Sequence, residues 1–245
     1  MAAIYFISDI HLGLQDEGEE QRKLEGLARL FAGFREGDAL YMLGDVFDYW
    51  MEFRHVIPKG FTGFLCLLSG LAARGVRVTY LPGNHDFYLG HFFDRELGVR
   101  TVDTVDGPLS FEFDGRRFIV AHGDGLGEGD GGYKFFARFV RNRFNLGLLT
   151  GFHPDLAVGL MKWLSRLSRT HKPGNRVMET DRLWEYAESL AGQQEFDYFL
   201  CGHNHSGCFK ELSRKGSHYV NLGSWIEGGT PYGVFEHGIF QMKES

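Results

Sequence analysis

The segment LPGNHD, Leu81 to Asp86, decides how the rest of this chain is read. Upstream of it VRVTY, Val76 to Tyr80, is a short apolar run with the character of a strand, which Pro82 and Gly83 bring to an end. Three consecutive side chains that bind metals or move protons follow: Asn84, His85 and Asp86. A plain turn would also use Asn and Asp here, because both tolerate turn geometry and hydrogen-bond their own backbone. The two readings part only when the other strand ends are compared.

Four further strand ends repeat the construction. FISDIHLG places Asp9 and His11 beyond a first strand, and YMLGDVFD places Asp45 and Asp48 beyond a second. VAHGD places His122 beyond a fourth strand, and FLCGHNH places His203 and His205 beyond a fifth. Loops at one edge of a sheet converge on one site. Carboxylate, imidazole and amide oxygen suit Mn²⁺, Fe or Zn²⁺. A spacing of two along extended chain, as in Asp9 with His11 and His203 with His205, points two side chains the same way. The seven candidate ligands Asp9, His11, Asp45, Asn84, His122, His203 and His205 exceed what one tetrahedral zinc takes, whereas two ions sharing one carboxylate use them all. A lone Asp after a strand is commonly a cap, and a lone buried His commonly a hydrogen-bonded core residue. Five such strand ends in one chain speak for a shared site instead.

Between these loops, the apolar runs AIYFIS, DALYML and VRVTYLP alternate with helix-like stretches around residues 19–35 and 58–74, the pattern of an α/β layered core. The C-terminal third is mostly strands, with hairpin signals at Asp114-Gly115, Lys215-Gly216 and His237-Gly238. A two-sheet sandwich with helices outside fits this order better than one doubly wound sheet. The 245 residues, 43% hydrophobic and 24% charged, are read as a single domain, 1–245, with a helical insert at about 125–192. Within the insert Phe135, Phe136, Phe139, Val140 and Phe144, then Leu156, Leu160, Trp163, Leu164 and Leu167, recur at helical spacing. Residues 131–176 hold nine Lys or Arg against Asp155 alone, about +8 in a chain whose net charge is −6. A basic amphipathic segment of this kind either caps the core or covers a lipid-like substrate or an anionic membrane surface. The strongly acidic remainder argues against a nucleic-acid groove.

The start, MAAIYFISDIHLG, lacks the basic n-region of a signal peptide, and no long window is free of charges and helix breakers. A cytoplasmic chain without a membrane-spanning helix is expected. Cys66, Cys201 and Cys208 lack zinc-finger or redox spacing and read as buried thiols in a reducing compartment.

DIH, GDVFD, GNHD, HGD and GHNH, in that order from residue 9 to residue 205, resemble the five signature blocks of the calcineurin-like metallophosphoesterases. The resemblance implies a four-layer αββα sandwich and two divalent metal ions. Asp9, His11 and His205 would hold one ion, Asn84, His122 and His203 the other, and Asp45 would bridge, with Asp48 outside the direct ligands. Two divalent ions set against Asp9, Asp45 and a bridging hydroxide leave about +1, which favours an anionic phosphoryl group and in-line attack by that hydroxide on phosphorus. Mn²⁺ is the expected metal, with Fe or Zn²⁺ as alternatives. His85 is expected to face the substrate phosphate, stabilising the transition state or protonating the leaving group, with Asp86 orienting it.

More narrowly, HGDGLGEGDGGYKFF, the basic aromatic insert and the FYLG after GNHD are similar to the UDP-2,3-diacylglucosamine diphosphatase family of lipid A synthesis, over nearly the whole chain. That resemblance implies hydrolysis of the pyrophosphate bond of UDP-2,3-diacylglucosamine, a nucleotide-linked glycolipid, to lipid X and UMP. It also implies an insert that forms a lid over the acyl chains and a peripheral location on the cytoplasmic face of the inner membrane. Asp130 and Tyr133 match positions that contact the glucosamine portion, and Asn84, His85 and His203 match the phosphate end. Arg169 and Lys172 are further candidate charge partners for the substrate. Neither nucleic acid nor an obligate protein partner is expected. In the best-known branch the residue after the Asn is Arg, whereas here it is His85, and the two differ in charge and reach. The alternatives are a generic phosphodiesterase or phosphatase acting on a nucleotide or other phosphoester and, more remotely, a non-catalytic scaffold.

Overall fold

The computed structural model describes residues 2–127, 151, 153–160, 176–226 and 228–245. The first half of the chain runs β1 (Ile4–Ile7), α1 (Glu17–Ala32), β2 (Ala39–Leu43), α2 (Thr62–Ala73), β3 (Arg77–Leu81), α3 (Phe92–Leu97) and β4 (Arg100–Thr101). A hairpin follows, β5 (Leu109–Phe113) with β6 (Arg116–Val120). Then come α4 (Arg176–Gln193), β7 (Tyr198–Cys201), β8 (Cys208–Glu211), β9 (His218–Asn221), β10 (Pro231–Glu236) and β11 (Ile239–Glu244). Most of the expected insert, including Asp130, Tyr133, Arg169 and Lys172, lies outside the described residues; the part within them includes a helical segment at 154–160.

The strands form two sheets, ordered β11-β10-β1-β2-β3-β4 and β5-β6-β7-β9-β8. In the first, β1 through β4 are parallel; in the second, β6, β7 and β9 are. Period-2 alternation sorts the side chains into layers. Ile4 and Phe6 of β1, Phe118 and Val120 of β6, and Tyr198 and Leu200 of β7 meet between the sheets. Their neighbours face outward. Ile7, Leu40 and Met42 pack with Leu27, Leu30 and Phe31 of α1 and with Phe64, Leu68 and Leu71 of α2. On the other side Ile119, Phe199 and Cys201 pack with Leu183, Ala187 and Ala191 of α4. The result is the two-sheet sandwich that the strand order implied, in the four-layer αββα form that the resemblance implied, mixed α/β in class. α1 begins where Asp16 accepts from the Glu19 N–H at 3.0 Å, and Glu17, Glu19 and Glu20 in its first turn complement the helix dipole.

Two of the three expected hairpins are tight. Asp114-Gly115 and His237-Gly238 each bridge directly paired strands, and both residues of each pair have positive φ, as such two-residue turns require. Lys215-Gly216 also lies between directly paired strands, but in a wider connection: the pairing of β8 with β9 runs only as far as the Leu212 N–H bond to the Ser217 carbonyl at 2.8 Å. The expectation of three buried thiols also needs correction. Cys201 is buried, but Cys66 is exposed on α2 and Cys208 is half-buried.

Phe118 is the hub of the inter-sheet layer. Its ring is fully buried, with centroids 5.1 Å from Tyr198, 5.2 Å from Phe235, 5.3 Å from Phe111 and 5.8 Å from Phe6. Truncation there opens a cavity that neither sheet can fill. Phe118→Ala is expected to lower unfolding stability by about 3–5 kcal/mol, measured by urea denaturation.

Candidate metal centre

The parallel strands of both sheets end at one edge, and the loops beyond them are bonded to one another. The Asp9 N–H donates to Gly44 O at 3.1 Å, His11 N–H to Asp45 O and Leu12 N–H to Val46 O at 2.9 Å each. In the second sheet the Gly202 N–H donates to His122 O at 2.8 Å. The two sheets are joined across this edge, since the Asp9 carboxylate accepts the His203 N–H at 3.0 and 3.1 Å. Pairing thus continues past the strand ends, and the loops are held as firmly as the strands.

Backbone strain gathers at the same edge. Asp9, His11, Asp45, His203 and His205 have φ of 51°, 49°, 52°, 72° and 60°. Among the described residues the other non-glycine positions of this kind are Asp114 and His237, in the two hairpins. Left-handed backbone costs such residues roughly 1–2 kcal/mol each, so the turns persist because the surrounding contacts outweigh that cost. Two glycines make room for the carboxylates. A Cβ on Gly202 would stand 2.0 Å from Asp9 Oδ2, and one on Gly83 2.2 Å from Asp45 Oδ1. The glycines of GHNH and GNHD are therefore steric requirements of the acids.

All seven expected ligands come together. Asp9, His11 and His205 bring ligand atoms within 4.8 Å of one another, as do Asp9, Asp45 and His122. Asn84 Oδ1 lies 3.2 Å from His122 Nε2 and 3.0 Å from His203 Nδ1, which adds those two residues to the second group. Asp45 Oδ2 sits between the groups, 3.7 Å from His11 Nε2 and 3.4 Å from His122 Nε2. Its other oxygen is engaged by the His85 N–H at 2.9 Å.

The donor set fits divalent cations on a specific observation. His122 Nδ1 lies 2.8 Å from Leu43 O, which only accepts, so Nδ1 carries the ring proton. In the neutral ring Nε2 is then a lone pair, and it faces the oxygens of Asn84 and Asp45. The Nε2 atoms of His11 and His205 lie 3.2 Å apart, with Asp9 Oδ1 3.3 Å from that of His205. Lone pairs converging in a buried space require a positive species among them. Burial alone would lower the His122 pKa, but the charges of Asp45 and Asp9 outweigh it and hold it well above the usual imidazole value. Burial would likewise raise the Asp45 carboxyl, yet the His122, His85 and His11 imidazoles together hold it well below the ordinary range.

His85 and Asp86 take different places from those expected of a pair. The His85 ring stands edge-on to His11, centroids 4.9 Å apart, with Nδ1 3.1 Å from Asp48 O and 3.6 Å from Asp48 Oδ1. Asp48 Oδ1 also lies 3.7 Å from His11 Nδ1, so Asp48 sits between both rings. Asp86, fully buried, accepts instead from the backbone N–H groups of Gly83 at 2.7 Å, Val46 at 2.8 Å and Asp45 at 3.2 Å, and from the Tyr80 hydroxyl. The His85 ring thus contacts Asp48, while Asp86 ties the GNHD loop to the GDVFD loop. Tyr80 on Asp86, Lys23 on the His11 carbonyl, Glu20 on the Gly13 N–H and Trp225, whose backbone N–H donates to Asp9 O at 3.0 Å, also support these loops and were not singled out in the sequence. Nothing in the sequence marks them: Tyr80 reads as a strand aromatic, and Glu20 with Lys23 as an ordinary helix-surface ion pair.

Comparison with known families decides what this arrangement belongs to. The calcineurin-like phosphoesterase profile matches residues 2–207, a span that holds all seven converging side chains. The chain belongs to the calcineurin-like phosphoesterase family. Its relatives include UDP-2,3-diacylglucosamine hydrolase of Porphyromonas gingivalis, 32% identical over 91% of this chain and 90% of that protein. Proteins of the same name from Ectopseudomonas mendocina and Salmonella arizonae are each 28% identical, covering 97% and 93% of this chain and 96% and 93% of their own length. Divalent metal ions belong to the chemistry of this phosphoesterase family, and the converging donors fit them. No helix among the described residues is long and apolar enough to cross a membrane.

The contact at Gly202 gives a direct test of the phosphoesterase site. Gly202→Ala places a methyl group against the Asp9 carboxylate without changing any candidate ligand. Mn²⁺ affinity, measured by calorimetry on the metal-stripped protein, is expected to fall by about tenfold or more.

Proposed function

We propose that this phosphoesterase hydrolyses the pyrophosphate bond of UDP-2,3-diacylglucosamine, giving UMP and lipid X in lipid A synthesis. The observation that carries the reading is the extent of the likeness. It runs through about nine-tenths of both this chain and the hydrolase of Porphyromonas gingivalis, well beyond the blocks common to all phosphoesterases. The site supports the same reaction class, because it gathers oxygen and nitrogen donors around a space suited to two cations.

In this reading Asp9, His11 and His205 hold one divalent ion, Asn84, His122 and His203 the other, and Asp45 lies between. When bound, the ions supply Lewis-acid polarisation of the phosphoryl oxygens and activation of water, with Mn²⁺ the metal of choice and Fe or Zn²⁺ the alternatives. His85, its Nδ1 turned to Asp48, presents Nε2 toward the phosphate as hydrogen-bond donor or as acid to the leaving group. Asn84 and His203 border the same phosphate end. Asp130 and Tyr133 contact the glucosamine portion, and the insert at about 125–192 covers the acyl chains on the cytoplasmic face of the inner membrane. The exposed Leu156 and Leu160 on the helical segment at 154–160 suit such a lipid-facing cover.

Purified protein incubated with Mn²⁺ and UDP-2,3-diacylglucosamine is expected to release UMP and lipid X. No turnover of that lipid beside good turnover of simple phosphodiesters would overturn the substrate and leave the reaction class. Asp45→Ala is expected to lower turnover about a thousandfold or more, since it removes the carboxylate between the two groups. Removal of residues 131–170 is expected to spare small-ester hydrolysis while damaging lipid hydrolysis, read by parallel assays on the two substrates.

A further inference from the structure

The turn that follows His11 is held from behind by α1. Lys23 is 1% exposed, and its Nζ lies 3.1 Å from the backbone oxygen of His11 and 3.1 Å from Glu20 Oε1. Glu20 in turn accepts the Gly13 N–H at 2.8 Å and the Gln15 N–H at 3.0 Å. One ion pair on α1 therefore grips three backbone groups of a single short turn, starting at His11.

Stability alone does not account for this pair. Lys23 belongs to the buried stripe of α1 with Gly26, Leu27, Leu30 and Phe31, where packing would be served by Leu or Met. At 1% exposure its ammonium group is held out of water at a cost. Apolar replacement of buried ion pairs is frequently neutral or stabilising. What the pair does secure is His11, whose backbone sits at φ 49°, outside the region its side chain prefers, and whose imidazole must meet Asp9 and His205. Backbone misplacement of a ligand by a fraction of an ångström is enough to weaken a metal site.

We propose that Glu20 and Lys23 are positioning residues for the metal centre, fixing the His11 turn so that its imidazole closes the site with Asp9 and His205. The inference rests on the reading of those three residues as holders of one cation. It assigns the pair to that site and not to the one around Asn84, His122 and His203, whose loops it does not touch.

Calorimetric titration of metal-stripped, full-length protein with Mn²⁺ tests it, with thermal unfolding of the stripped protein alongside. Wild-type protein is expected to take two ions. Lys23→Met is expected to bind one of the two at least about tenfold more weakly and the other as wild type, with little change in the melting temperature of the stripped form. Glu20→Gln is expected to weaken the same ion, and it decides the matter if Lys23→Met does not fold. Arg22→Ala, an exposed neighbour on α1, is the control and binds both ions normally. A variant pair that binds both ions with wild-type affinity overturns the proposal, whatever its melting temperature, and shows the ion pair to be structural only. Wild-type protein that takes no ion overturns the metal reading itself, and this inference with it.

Discussion

Two carboxylates that water cannot reach set the terms for the rest of this molecule. Asp9 and Asp45 are 0% and 2% exposed, and each faces imidazole nitrogens across less than 4 Å. Isolated charges in such a place would simply take up protons. They stay ionised because histidines from both sheets surround them and because backbone N–H groups bond to them directly, His203 to Asp9 and His85 to Asp45. Charge of one sign, concentrated and dry, creates a demand for a cation. Divalent ions at this site would meet that demand.

The sandwich exists to hold those acids in place. Parallel strands put all the relevant loops at one edge, and the loops then pair with each other, so that the site behaves as an extension of the sheets. Asp86 shows how far this goes. A third buried acid, it spends its lone pairs on the backbone of two neighbouring loops and on Tyr80. Burial and the nearby Asp45 raise its pKa, a cost outweighed by the bonds that fix the Asp45 turn.

Much of this was legible in the sequence, and for a physical reason. Metal-binding side chains just past a strand are rare enough that five such strand ends point to convergence, and their order brought the fold with it. The glycines of GNHD and GHNH were legible only as turn residues; that each makes way for a carboxylate depends on loops distant in sequence. Asp86 beside His85 suggested a pair, yet the His85 ring meets Asp48 from the GDVFD loop and Asp86 turns to backbone. Lys23 could not be told from a solvent-facing helix residue, because an i,i+3 partner such as Glu20 is what surface helices carry. Lys215-Gly216 does mark a hairpin, that of β8 with β9, but a wider one than its dipeptide suggests, since pairing stops at the Leu212 to Ser217 bond.

The bond from the His203 N–H to the Asp9 carboxylate crosses from one sheet to the other, and His205 reaches the same acid. Any cation seated there would act as a rivet through the two halves of the sandwich. Metal supply would then set the heat tolerance of the whole chain as well as its turnover. A ligand at a hundred times its dissociation constant adds about 2.7 kcal/mol to the folded state. A cell short of the metal would hold a protein that is softer and open to proteolysis as well as inactive.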